Sequence, residues 1–253
     1  MSDALPMIVS DPAPEIEALA RRYRRAGGPV IALMTRLGGR VEAHLAALPA
    51  GLRTRIGEMT EAALRASWGV AQFGGRVLLQ AGRRGSMAAA LASGAAGGAG
   101  GLATSVAELP VTVTVILHAI RAEAIAAGYD PDDPGVRAEC LKVFAAGSPL
   151  SADDGVDTSF LSARLTLTGP AIQQLIQRIA PRLATAMTQK MAAQAVPVLG
   201  AAAGAALNAA YLRYYRELAA IRFALLRLSE RHGAEPVLEA FRIAATPPAV
   251  TRA

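Results

Sequence analysis

The run GSMAAALASGAAGGAGGLATSVA, residues 85–107, decides how this chain folds. It holds 23 residues without a charge, and Ser93, Gly97 and Gly101 recur in it at four-residue spacing. Wound as a helix, it shows one face of nearly bare backbone, which lets a second helix approach closely. Such a partner exists in the uncharged run from Met191 to Leu212, where Gly200, Gly204 and Asn208 keep the same spacing. Each run reaches the roughly 20 residues that span a bilayer. Ala and Gly contribute little hydropathy, so a tightly packed soluble helix pair fits the composition equally.

Outward from these runs the chain reads as helix almost everywhere. Asp11-Pro12 opens a helix through Arg25 with Ile16, Leu19, Ala20 and Tyr23 as its stripe, and Gly27-Gly28-Pro29 ends it. A second stripe runs from Val30 to Leu48. A third, Leu52, Ile56, Met59, Ala63, Ala66, Val70, Phe73 and Val77, alternates steps of four and three like a heptad seam. Ser105 and Glu108 have capping-box spacing before Pro110 and predict a helix start there, with Gly128 as its C-cap. Residues 129–134 predict a turn that caps the next helix, which ends near Gly147. Residues 148–160, with Asp153, Asp154 and Asp157, read as an exposed acidic loop. Helix resumes at Pro170. Beyond the second uncharged run lies an amphipathic helix through Arg231 with the stripe Leu218, Ile221, Leu225 and Leu228. Gly233 stops it before a short helix over 235–244.

The expected fold is therefore an all-α multi-helix bundle around a central antiparallel Ala/Gly-rich helix pair. Aromatics are only 4% of the chain, and β-branched residues are sparse, which disfavours a large sheet. The expected division is a tail over 1–14, one helical domain over 15–244 and a tail over 245–253.

Charge is distributed in blocks. Residues 1–84 carry 12 Arg against 7 acids, 85–177 carry 4 basic residues against 9 acids, and 178–232 carry 8 against 2. Lys142 and Lys190 are the only lysines. Two basic blocks around an acidic one suit a face turned to anionic lipid. Arg21, Arg22, Arg24, Arg25, Arg83, Arg84, Arg213 and Arg216 are the residues expected to meet lipid headgroups or an acidic partner. No recognised nucleic-acid motif is present, so no specific nucleic acid is expected. Cys140 stands alone, which excludes an intrachain disulfide and fits a reducing compartment. The N-terminus lacks the basic start and apolar run of a signal peptide. The cytoplasm, or the cytoplasmic side of the cell membrane, is the expected location.

No catalytic motif emerges. Gly98 to Ala103 matches a loose dinucleotide fingerprint, but an Ala-rich helical run precedes it where the mechanism needs a strand. No Walker-type sequence occurs, so nucleotide hydrolysis by this chain is not expected, and neither is a cofactor. His44, His118 and His232 are too scattered for a metal site, and the Asp132-Asp133 and Asp153-Asp154 pairs read as caps or solvated loop. Glu108, His118, Arg121 and Asn208 are the polar residues that interrupt the most apolar segments. They are the candidates for a pocket with acid–base chemistry, hydrolase-like or ligand-binding. Gly97, Gly101, Gly200 and Gly204 are expected to serve helix packing.

Glu108-Leu109-Pro110 opening an apolar helix, then Gly128 to Pro134, then Pro197 to Asn208 running into an Arg-rich helix, resemble in this order the EcsC family of bacterial proteins. Glu108 stands where that family more usually shows Asp, and His118 where Arg is common. The resemblance spans roughly residues 30 to 232. It implies a protein whose namesake is encoded beside an ABC exporter's ATPase and membrane subunits, and it brings no established activity. The function expected from residues and resemblance together is a non-enzymatic, membrane-associated accessory protein whose partners are anionic lipid, a membrane protein or ABC transporter subunits. An enzyme using Glu108, His118 and Asn208 is the alternative.

Overall fold

The computed structural model describes residues 11–26, 28–29, 32, 50–70, 82–99, 101–144, 169–194 and 200–246. Among them are the helices α1 (Ala13–Arg25), α2 (Ala50–Val70), α3 (Gly82–Ala99), α4 (Gly101–Ala126), α5 (Pro134–Val143), α6 (Gly169–Gln194), α7 (Gly200–His232) and α8 (Ala234–Ala245). No strand occurs among the described residues. The chain is all-α, as its spacing predicts. The second stripe, Phe73 and Val77, the acidic loop over 148–160 and all but the inner edges of both tails lie outside the described residues.

Helix α7 is the axis. Its 33 residues make a rod about 50 Å long at 1.5 Å per residue. Leu218, Ile221, Leu225 and Leu228 are buried as expected, and Tyr211, Tyr215 and Phe223 join them. Most of the described aromatics gather on this rod. Phe144 and Tyr214 both lie 5.3 Å from Tyr215, and Tyr129 lies 5.6 Å from Phe223. Helix α3 packs most extensively on α7, α4 lies against both, and α2 packs on α4 and α6. Helices α1 and α8 close one side, with Tyr23 edge-on to Phe241 at 5.8 Å.

The close approach of α3 and α7 is made by backbone. A Cβ on Gly94 would lie 2.4 Å from the Gly204 carbonyl oxygen and 2.9 Å from Asn208 Cβ. Ser93 meets Asn208, and Met87 lines a cleft with Arg213 and Arg216, so the helices run antiparallel. Gly97 does not belong to this contact. It backs onto the Glu108 side chain of α4, where a Cβ would come within 1.9 Å of Oε2. What packs on Gly101 and Gly200 lies outside the described residues.

Helix ends follow the punctuation of the sequence. Gly128 adopts φ +89, its N–H donates to Ile125 O at 2.9 Å, and the Tyr129 N–H donates to Ala124 O at 3.0 Å. This paired closure needs the left-handed residue that glycine supplies. Asp133 Oδ1 accepts from the Val136 N–H at 2.9 Å, with Pro134 in the first turn of α5. Gly233, at φ +90, separates α7 from α8.

Two expectations need correction. Helix α4 begins at Gly101, so Ser105 and Glu108 form no helix start and Pro110 sits inside the helix. The capping box yields to a tertiary demand, because Glu108 is drawn into a buried ion pair. The uncharged runs are also not continuous helices. Residues 85–107 divide between α3 and α4, and 191–212 divide between α6 and α7. The one helical segment among the described residues long and apolar enough to cross a membrane is Ala107–Ala126, mean hydropathy 1.5, and 67% of that window is buried in the protein.

Candidate functional site

Helix α1 ends in four arginines, favourable beside the partial negative charge of a helix C-terminus. Their positions on the helix separate them. Arg21 lies 3.7 Å from Glu17 on the outer face, and Arg24 donates to the Ala244 carbonyl of α8. Arg22 and Arg25, three apart, share the face turned to α7, where Arg213 and Arg216 repeat the spacing. All four line one cleft of about 590 Å³. Arg22 Nε donates to Glu217 Oε1 at 2.6 Å and Nη2 to Oε2 at 3.1 Å, a fork on a carboxylate. The Glu217 hydrogen bond, helped by the charges of Glu217 and Glu123, holds the Arg22 guanidinium above its ordinary value against the effect of burial. Arg216 donates through Nε and Nη2 to Glu123 Oε1, both at 3.2 Å. Ala26, Met87 and Ala220 form the apolar wall. Arg84 is exposed but does not line this cleft, and the Arg83 side chain lies outside the described residues.

Glu108 and Asn208 come together, as part of a buried cluster. Glu108 Oε1 accepts from Thr112 Oγ1 at 2.8 Å, from Lys190 Nζ at 3.2 Å and from Asn208 Nδ2. Asn208 Nδ2 also donates to Ser93 Oγ at 3.0 Å. Helices α3, α4, α6 and α7 thus meet at one ion pair, and Lys190 is fully enclosed. Burial pushes the Lys190 ammonium below its ordinary value, and the Glu108 carboxylate offsets part of that.

His118 and Arg121 lie elsewhere. At 1.5 Å per residue, His118 is about 15 Å along α4 from Glu108. Burial, then the charge of Arg121, lowers its pKa and so favours the neutral imidazole. Arg121 Nη2 donates to Asp132 Oδ1 at 2.8 Å. Burial also pushes the Cys140 thiol up to about 12, so it stays protonated and unreactive. The expected joint pocket of Glu108, His118 and Asn208 does not assemble. Among the described residues, no group of three or more His, Cys, Asp or Glu gathers to hold a metal.

Sequence reasoning missed the partners. Lys190, Arg216 and Arg222 belong to the second basic block, yet each is joined to a carboxylate of the acidic middle. Lys190 pairs with Glu108, Arg216 with Glu123, and Arg222 with Glu139, which also accepts from Lys142 at 3.0 Å. Part of the block pattern is therefore interior charge matching, while Arg178, Arg182, Arg213, Arg227 and Arg231 of the same block are exposed.

The profile of the EcsC protein family matches residues 77–228, and the chain belongs to that family. No curated protein and no solved structure matches the chain.

Proposed function

We propose that this EcsC family protein is an accessory protein of the membrane surface, seated through arginines of α1 and α7 on anionic lipid or an acidic membrane protein. The observation that carries this reading is the convergence of Arg22 and Arg25 with Arg213 and Arg216, some 190 residues later in the chain, on one face. Burial within α4 of most of the 107–126 window supports a seat on the bilayer, because insertion would pull that helix out of the core. The proposed side is the cytoplasmic one, whose anionic lipid attracts basic surfaces. The family resemblance directs the first search for a protein partner to ABC transporter subunits.

Co-sedimentation with vesicles tests this. Each exposed arginine near an anionic surface contributes about 1 kcal/mol. Salt at about 1 M shortens the Debye length to about 3 Å and removes that contribution. The protein is expected to bind anionic vesicles at low salt, to leave them at high salt and to ignore neutral ones. Equal binding to neutral vesicles, or none to anionic ones, contradicts the proposal.

A further inference from the structure

The charges in the α1–α7 cleft do not cancel. Its described lining holds four guanidiniums, on Arg22, Arg25, Arg213 and Arg216, against the carboxylates of Glu123 and Glu217. Glu217 gives both oxygens to Arg22, and Glu123 binds Arg216. Among the described residues Arg25 and Arg213 have no carboxylate partner, and both are exposed. They stand on different helices, with the two ion pairs fixing the walls between them. Guanidinium forks match phosphate oxygens in geometry as well as charge.

We propose that this cleft binds a phosphomonoester, with the dianionic phosphate on Arg25 and Arg213 and its organic body against Met87, Ala26 and Ala220. Two uncompensated charges call for two negative charges, which a monoester carries and a diester does not. The volume, about 590 Å³, is that of a small-molecule site and exceeds what a bare phosphate fills. No aromatic side chain lines the described cleft, so nothing there stacks a base, and nucleic acid is disfavoured. This inference rests on the membrane-surface reading for a lipid source, phosphatidic acid, while a soluble phosphomonoester offers the same group.

The test uses the full chain and its Arg25→Gln/Arg213→Gln variant, whose substituted residues pair with no carboxylate and whose folding is checked by thermal melting. Vesicles containing phosphatidic acid are compared with vesicles containing phosphatidylglycerol, a diester, at matched surface potential. Glycerol 3-phosphate is titrated calorimetrically without lipid. Phosphatidic acid is expected to bind roughly tenfold tighter, the worth of one additional charge-assisted contact. The variant is expected to lose that preference. Glycerol 3-phosphate binding that the variant loses, with vesicles ignored, supports the site with a soluble source and removes the membrane-surface reading. Equal binding to both vesicles without glycerol 3-phosphate binding overturns the site and leaves the surface reading standing. A phosphatidic acid preference that survives in the variant overturns the site, and binding to neither lipid nor glycerol 3-phosphate overturns both.

Discussion

A buried lysine is tolerated where a carboxylate lies beside it, and both lysines of this chain are placed so, Lys142 on Glu139 and Lys190 on Glu108. Removing one partner of such a pair strands the other charge in low dielectric. Lys190→Met is therefore expected to cost about 3–5 kcal/mol in urea unfolding. Glu108→Gln/Lys190→Met is expected to recover most of it, since Gln still offers an oxygen to Thr112 and Asn208. A double variant as unstable as the single one would mean that the pair is not what holds these helices. Glu108 and Asn208 were legible because they interrupt apolar runs. Lys190 was not, because it directly precedes an uncharged run and counts as one more charge of a basic block. Its partner lies 82 residues away, and nothing local distinguishes a lysine aimed inward from one in solvent.

Between elements, the decisive contact is the absence of a side chain. Gly94 meets the backbone of Gly204 at a distance that admits no Cβ, so Gly94→Ala must separate α3 from α7. A loss of about 1–3 kcal/mol is expected, the usual range for overpacking. Gly57, in α2, has nothing within 4 Å of a Cβ, and Gly57→Ala is expected to stabilise by about 0.5–1 kcal/mol through lost unfolded-state entropy. Thermal melts of the two variants check both signs, and a stabilised Gly94→Ala would refute the close packing. Helix ends were readable wherever glycine, proline or aspartate imposes backbone geometry, as at Gly128, Asp133 and Gly233. The start of α4 was not, since its cap competes with the pull on Glu108. The stripe of α2 was read as a heptad, but Ala66 is exposed while Thr60 and Leu64 are buried. A straight helix of 3.6 residues per turn drifts off a 3.5 repeat, and α2 follows the straight helix.

At the scale of the whole molecule, carboxylates of the acidic middle neutralise Lys190, Arg216 and Arg222 in the bundle around α7, and the arginines of α1 stay outside with Arg213 and the other exposed arginines. The fold class was legible because apolar spacing of three and four recurs along the chain. The arginine cleft was legible only as a set of residues, because α1 and α7 lie far apart in the chain and meet only in the folded bundle. The proposed seat puts this arginine face on the membrane while α4 stays in the core. Spin labels in a Cys140→Ala background, at Ala26→Cys beside the arginine face and at Val111→Cys on the exposed side of α4, measure both halves of that claim on anionic vesicles. The label at 26 is expected to lose access to a water-soluble relaxing agent when vesicles are added, and the label at 111 is expected to be unchanged. A label at 111 that gains access to membrane-dissolved oxygen, or a label at 26 indifferent to vesicles, would contradict the account.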